Sequence, residues 1–312
     1  MLAIVAPGQG SQTPGFLAPW LELPGLRDQV DRLSSVAHLD LVAHGTTSDE
    51  ETIKDTAVAQ PLIVAAGLAS LSALDIDPAV IGVTAGHSVG EFTAAVAAGV
   101  LTDEDALALV SERARAMAEA AAVRPTGMSA VLGGDPDEVQ EVLSREGLTA
   151  ANMNGAGQVV AAGTLEQLAA LAEQPPTRAR VIPLKVAGAF HTEHMAPAVE
   201  RLASAAEGVR PSDPQVLLIS NAEGAAVPAG EEVLQRLVTQ VSNPVRWDLT
   251  MERFLDLGVT GLIELAPAGT LVGLAKRALK GVELVALKSP DDLEAARRMV
   301  AEHASVEGAE QA

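Results

Sequence analysis

The chain has 312 residues, with 41 acidic against 21 basic side chains for a formal charge of −20, 48% hydrophobic residues and no cysteine. That charge excludes a nucleic-acid reader working through a basic face, because neutralisation of phosphates by Lys and Arg carries most of such affinity, and it opposes adsorption to an anionic membrane. Without cysteine there is no disulfide, thiolate nucleophile or thiolate metal site, and at roughly 100 to 200 residues per domain the length suits one large domain or two modest ones.

The first predicted element is a strand at 2–6; no basic segment precedes it and Pro7 ends it, so it reads as a core strand rather than a signal peptide. The loop behind it, Gly8-Gln9-Gly10-Ser11-Gln12, opens like a dinucleotide fingerprint, but Thr13 stands where the third glycine belongs and no lysine marks a phosphate loop. Two glycines beside a sheet edge can instead present a backbone N–H to an oxyanion. A helix follows at 56–74, with Pro61 in its first turns or kinking it. Its apolar part, 61–74, falls short of the roughly 20 residues a membrane span requires. A cytoplasmic, monomeric chain is expected.

The strand at 80–85 leads straight into Gly86-His87-Ser88-Val89-Gly90 and then an alanine-rich helix. Glycines two positions either side of Ser88 permit the tight strand-to-helix turn that lifts a serine hydroxyl clear of a sheet, and the free N–H groups of the new helix face any oxyanion formed there. The alternative is a plain glycine-rich connector. In the next helix, 103–122, two arginines separate by geometry. Arg115 has Glu112 and Glu119 within one turn and reads as solvated, whereas Arg113 is flanked at the same offsets by Leu109, Val110, Ala116 and Met117. A guanidinium on that apolar row needs an anion from elsewhere, either a structural carboxylate or a substrate anion.

From 126 to 187 the rhythm changes. Strands at 128–132, 148–153, 158–162 and 178–184 with helices at 136–145 and 165–173 give βαββαβ, the split unit of a ferredoxin-like subdomain, with Pro125 and Gly127 before it and Gly188 after it as expected hinges. The remainder reads as helix 191–206, strand 216–220, helix 231–241, strand 261–265, helix 270–279 and strand 284–287, and the acidic tail after His303 is expected to fray. Strands alternating with helices predict a parallel sheet covered on both faces. The expected fold class is therefore α/β, an α/β-hydrolase-like large domain made of 1–125 and 188–312 with a ferredoxin-like small subdomain, 126–187, inserted in it and a cleft between the two.

A serine on such a turn needs a base, and six histidines are available. His87 is expected to project from a different side of the turn, and His38, His44 and His303 lie in polar surroundings. His191 and His194 remain, in Ala189-Phe190-His191-Thr192-Glu193-His194, where the inserted unit returns to the main domain. The alternatives are two surface imidazoles in a helix-capping segment, or an HxxH metal pair without an obvious third ligand.

Taken together, these residues resemble the malonyl-CoA:acyl carrier protein transacylases of fatty-acid and polyketide synthesis. The motifs are GQGSQ at 8–12, GHSVGE at 86–91, the Arg113 helix, AFH at 189–191 and NPVRW at 243–247, so the resemblance covers most of the chain. It implies that Ser88 is the acylated nucleophile, His191 the general base and Arg113 the ligand of the free malonyl carboxylate, with Met117 and Phe190 beside the acyl group. It also implies an oxyanion hole from the backbone N–H groups of Gln9 and Val89, and a backbone carbonyl at Gln240, rather than an acidic side chain, orienting the imidazole. Malonyl-CoA and an acyl carrier protein would be the partners, with no metal and no cofactor beyond the coenzyme A of the substrate. Malonyl-selective domains of polyketide synthases often read HAFH, and here Gly188 takes the place of the leading histidine while Phe190 keeps the bulk that excludes an α-methyl.

Two other readings compete: a serine esterase or thioesterase of α/β-hydrolase type, whose acid sits on a late strand before the histidine, and a non-catalytic scaffold for carrier proteins. The acidic charge sets a further expectation. A carrier protein is acidic too, so docking requires local basic patches within the roughly 8 Å reach of charge at physiological salt. Arg178, Arg180 and Lys185 on the small unit and Lys276 and Arg277 on the large one are the candidates; ordinary solvated faces are the alternative.

Overall fold

β1 (Leu2–Ala6) is buried along its whole length, as a strand covered by helices on both faces must be, and it forms the middle of the larger sheet in the computed structural model, which describes residues 1–304. After it come α1 (Leu26–Ala37), α2 (Leu41–Thr46), α3 (Glu50–Lys54), α4 (Thr56–Leu74), β2 (Val83–Gly86), α5 (Gly90–Ala97) and α6 (Asp103–Val123). Next are β3 (Thr126–Gly133), α7 (Pro136–Arg145), β4 (Thr149–Gly155), β5 (Gln158–Thr164), α8 (Leu165–Glu173) and β6 (Ala179–Pro183). The chain closes with α9 (Ala196–Ala206), β7 (Leu217–Ile219), α10 (Gly230–Thr239), β8 (Val245–Arg246) and α11 (Trp247–Asp256), then β9 (Gly261–Glu264), α12 (Thr270–Ala278), β10 (Glu283–Ala286) and α13 (Leu293–His303). The tail beyond 304, expected to fray, lies outside the described residues.

The larger sheet runs β10-β9-β1-β2-β7 with every neighbouring pair parallel. Its order reverses around β1, and in such sheets the crevice at the carboxyl ends of the strands is where ligands bind. Ala6 of β1 pairs with Gly86 of β2, so the Gly8–Gln12 loop and the serine turn leave the sheet side by side. The second sheet runs β6-β3-β5-β4-β8, antiparallel through β4. Its fifth strand is unexpected: β8, from the Asn243–Trp247 motif, adds to β4 in parallel and ties the smaller sheet to the second half of the chain.

Several expected boundaries move for local reasons. The strand expected from 80 begins at Val83, because Pro78–Val80 forms a single helical turn that Asp77 caps through the Ala79 N–H. The helix expected from 191 begins at Ala196, after a turn in which the Thr192 side chain accepts the His194 N–H and His191 itself has φ +62°. Gly188 is a packing position rather than an open hinge, since a Cβ there would lie 2.7 Å from the Ala121 Cβ. The same contact leaves no room for a histidine at that position. Helices α1, α2, α3, α11 and α13 were not anticipated; in α1 the helical spacing of Leu26, Val30, Leu33 and Ala37, all buried, carries the signal.

Helix α4 contains Pro61 without ending there, and 72% of its most apolar stretch is buried inside the protein. Among the described residues it is the one helix long and apolar enough to cross a membrane.

Candidate active site

The turn after β2 shows why its glycines cannot be replaced. A Cβ on Gly86 would come within 2.0 Å of the Gly90 carbonyl carbon, and one on Gly90 within 2.2 Å of the Ala6 oxygen. Ser88 itself is held at φ +52°, a region that costs a non-glycine residue energy and persists only where the surroundings impose it. What imposes it is a pair of side chains from the far part of the chain. Asn221 accepts the Ser88 N–H on Oδ1 at 2.7 Å and donates Nδ2 to the Gly86 carbonyl at 2.6 Å, while Gln240 Nε2 donates to the Ser88 carbonyl at 3.0 Å.

His191 meets the serine. Its Nε2 lies 2.7 Å from Ser88 Oγ and its Nδ1 3.0 Å from the Gln240 carbonyl oxygen. A carbonyl only accepts, so Nδ1 carries the proton and Nε2 presents its lone pair to the hydroxyl. Burial first, and then the charge of Arg113, push the imidazole down to about 3, which keeps it neutral and able to take a proton. The expected backbone carbonyl at Gln240 is thus in position. His194 lies outside this pair, on the helical turn after Thr192.

Arg113 is buried, 1% exposed. Its Nη1 donates to Gln60 Oε1 at 2.5 Å, its Nη2 to Gln240 Oε1 at 2.8 Å and more weakly to Ser88 Oγ at 3.4 Å, and its Nε is buried without a partner. No carboxylate forms a salt bridge with it among the described residues. Neutral amides therefore orient the guanidinium without satisfying its charge. Burial lowers its pKa to about 10, opposed by Glu91 at longer range, so it remains cationic.

These groups line a cavity of about 490 Å³ closed on the other side by the smaller sheet. Met117 and Phe190 are in its wall, and Gln9 and Val89 line it together with Ser88. In the two loops the Gly10 N–H is taken by Gln12 and the Gly90 N–H by the His87 carbonyl, whereas the N–H groups of Gln9 and Val89 donate to no protein group among the described residues. His87 takes no part in the serine–histidine pair. The residue lines the same cavity, with Nε2 2.9 Å from Asn154 Oδ1 of β4 and the ring in a T-shaped contact with Trp247, and burial keeps it neutral. The basic residues divide. Arg277 lines the cavity and donates to Gln158 Oε1 at 3.3 Å, and Lys185 sits between the lining residues Leu184 and Val186. Lys276 is exposed beside Arg277, Arg180 is exposed on β6, and Arg178 is on the turn before β6 next to Glu138.

Gln60, Glu91 and Asn221 and the side chain of Gln240 were missed. Gln60 carried the signal that marked Arg113: it is a polar residue with Ile63 and Val64 at helical offsets. Asn221 lies in the turn after β7, and only its partners identify it.

Residues 4–305 match the model of the acyl transferase domain family. The chain is 52% identical over 297 residues to the malonyl CoA-acyl carrier protein transacylase of Mycobacterium tuberculosis, covering 94% of this chain and 98% of that one. The protein of the same name from Bacillus subtilis is 32% identical over 304 residues, with 95% and 96% covered. The crystal structure of the Mycobacterium tuberculosis MCAT superposes with a TM-score of 0.92 at 51% identity, covering 95% of this chain and 99% of that one. A malonyl-transacylase solved in complex with a type II PKS acyl-carrier protein superposes at 0.88 with 31% identity, covering 95% of this chain and 99% of the other.

Proposed function

The chain belongs to the acyl transferase family, and on that premise we propose that it transfers the malonyl group of malonyl-CoA to the phosphopantetheine thiol of an acyl carrier protein, supplying extender units for fatty-acid or polyketide synthesis. The observation that carries the reading is Arg113, a buried cation whose short hydrogen bonds go to neutral amides and which forms no salt bridge among the described residues, beside a serine–histidine pair. It is a seat for an anion that must arrive with the substrate.

In the first half-reaction Ser88 Oγ attacks the thioester carbonyl and His191 Nε2 takes its proton, while the oxyanion is received by the N–H groups of Gln9 and Val89. Collapse expels the coenzyme A thiolate, which takes the proton from the imidazolium and leaves malonyl-Ser88. The carrier thiol then reverses these steps. Burial is the first cause of the depressed His191 pKa and the Arg113 charge the second; a malonyl carboxylate at Arg113 offsets the second, so the base strengthens when the correct acyl group is seated. Overall, one thioester is exchanged for another of similar energy through the serine ester, and the scheme draws on no metal and no cofactor beyond substrate coenzyme A.

The finer architecture belongs to the same reading. The serine turn after a parallel strand supports an α/β-hydrolase-like larger unit, 1–125 and 188–312. The βαββαβ connectivity and the order β6-β3-β5-β4 support a ferredoxin-like unit at 126–187, with its own small core around Val131, Val139, Leu143 and Leu171. The chain works as a cytoplasmic monomer, and Lys185, Arg180 and Arg178 on one lip with Lys276 and Arg277 on the other receive the acidic carrier.

Incubation with malonyl-CoA alone, followed by intact-mass measurement, tests the activity. A stable malonyl adduct is expected. Free malonate without an adduct would indicate a hydrolase, and an unchanged protein and substrate a scaffold.

A further inference from the structure

Glu91 stands in the first turn of α5, three residues past the serine, and is buried at 6% exposure. One carboxylate oxygen accepts the Asn221 N–H at 2.6 Å and the other accepts Gln240 Nε2. Those two residues hold everything else. Asn221 fixes the Ser88 N–H, and Gln240 fixes the Ser88 carbonyl with Nε2, Arg113 with Oε1 and His191 with its backbone oxygen. The Glu91 N–H adds a bond of its own to the Ser88 carbonyl at 3.0 Å. The nucleophile, base and anion seat thus share one anchor, although none of the three touches the Glu91 carboxylate within hydrogen-bond distance.

We propose that Glu91 is a positioning residue whose carboxylate, by gripping Asn221 and Gln240 together, keeps Ser88, His191 and Arg113 in one reactive arrangement. The inference rests on the transacylase reading and names what holds its parts in register. The chemistry calls for a carboxylate because both partners are N–H donors: an amide there would turn its own NH₂ against one of them and leave a buried donor unsatisfied. A serine at positive φ relaxes when such constraints slacken, and small misplacements of reacting groups are expensive.

The same carboxylate is open to protonation. Glu91 lines a second cavity, of about 590 Å³, that includes Gln240, Arg236 and Arg246 but none of Ser88, His191 and Arg113. The charges facing it are Arg113 from α6 and Arg236 from α10; Arg236 is itself paired with Glu232 at 2.8 Å and Glu223 at 3.6 Å, and Arg246 with Asp248 at 2.9 Å. Burial pushes the Glu91 carboxyl up to about 7, against its hydrogen bonds from Asn221 and Gln240 and the two arginine charges. His191 is held down first by its burial, which a seated malonyl group leaves in place, and loss of the midpoint in Glu91→Gln separates the two groups. Below the Glu91 midpoint the grip on the two donors loosens, so acylation should rise with pH as the carboxylate forms.

The test is the rate of malonyl-Ser88 formation at saturating malonyl-CoA, by rapid quench and intact mass, from about pH 6 to about pH 8. In the unaltered protein the rate should climb through a midpoint near 7. Glu91→Gln should be slower by about tenfold or more per folded molecule, with the midpoint gone, at an undiminished far-ultraviolet dichroism signal. A flat profile in the unaltered protein, a midpoint that persists in Glu91→Gln, or a rate within about twofold of the parent would overturn the proposal. Should Glu91→Gln not fold, Gln240→Met, which keeps the backbone carbonyl but removes one hydrogen bond that favours the carboxylate, must slow acylation and move the midpoint to higher pH, and an unmoved midpoint would overturn the proposal. Absence of any adduct on the unaltered protein is a different result, and it would sink the transacylase reading together with the inference built on it.

Discussion

The two walls of the cleft are built on opposite plans. On the side of the larger sheet the reacting groups are interlinked: Ser88, His191, Arg113, Gln240, Asn221 and Glu91 form one connected hydrogen-bond network. The wall from the smaller sheet offers Asn152, Val160, Leu184 and Val186, and its edge strand region leaves Ile182 and Leu184 36% and 37% exposed with Arg180 and Lys185 in the open. Bond chemistry requires fixed geometry in a dry, low-dielectric site, whereas admitting a long thiol arm and a protein partner requires surface and adaptable charge. Substitutions in that buried network should therefore damage the chemical step, and substitutions on the exposed rim, contributed by both units, should alter who is served.

The largest effect should come from Ser88→Ala, which removes the attacking oxygen from a turn whose shape Gly86 and Gly90 set. The malonyl adduct should vanish in intact-mass spectra while circular dichroism is unchanged; an adduct of normal yield would remove the serine from the scheme. His191→Ala should slow self-acylation by about 10²-fold to 10⁴-fold in rapid-quench measurements, as the loss of a general base does. A change smaller than about threefold would shift attention to His194.

Arg113→Ala tests whether the first wall also chooses the acyl group. Malonyl transfer should fall by about 10²-fold, the scale of two charge-assisted hydrogen bonds, while acetyl-CoA, which lacks the carboxylate, gains in relative terms. Unchanged competition between the two thioesters would make Arg113 a structural cation. Phe190→Ser opens space beside the α-carbon and should improve methylmalonyl-CoA use by about tenfold in side-by-side assays, the scale at which a pocket senses one methyl. Equal discrimination before and after would place the filter elsewhere.

The smallest expected effect sharpens the comparison most. Reversing Lys276 and Arg277 to Glu should raise the apparent KM for carrier protein several-fold, about what rim charges contribute, and leave self-acylation nearly untouched. Equal damage to both half-reactions, or to neither, would deny that this lip receives the carrier.

What was legible in the sequence follows the same division. Ser88 was readable because a strand, two glycines and a helix state its geometry within five positions, and Arg113 because an arginine on an apolar helical row is costly without a purpose. His191 was narrowed only to a pair with His194 until the family resemblance chose between them. The anchoring network was not readable, since Asn221 meets Ser88 across 133 positions and Gln240 meets Glu91 across 149, and nothing local marks such a contact. The misplaced helix start at 191 has a local cause: a positive φ at His191 and a threonine cap interrupt an otherwise helical pattern. A two-residue strand such as β8 is too short for periodicity to register.

The central claim, that Ser88 holds a malonyl group only in transit between two thiols, is open to one direct measurement. The protein is loaded with malonyl-CoA, freed of excess substrate and mixed with a phosphopantetheinylated acyl carrier protein, and both proteins are weighed over time by mass spectrometry with the loaded residue mapped by peptide. The malonyl mass should reside on the peptide containing Ser88 and disappear from it as an equal amount appears on the carrier. A malonyl group found on another residue, or lost from Ser88 as free malonate while the carrier stays unloaded, would contradict the account.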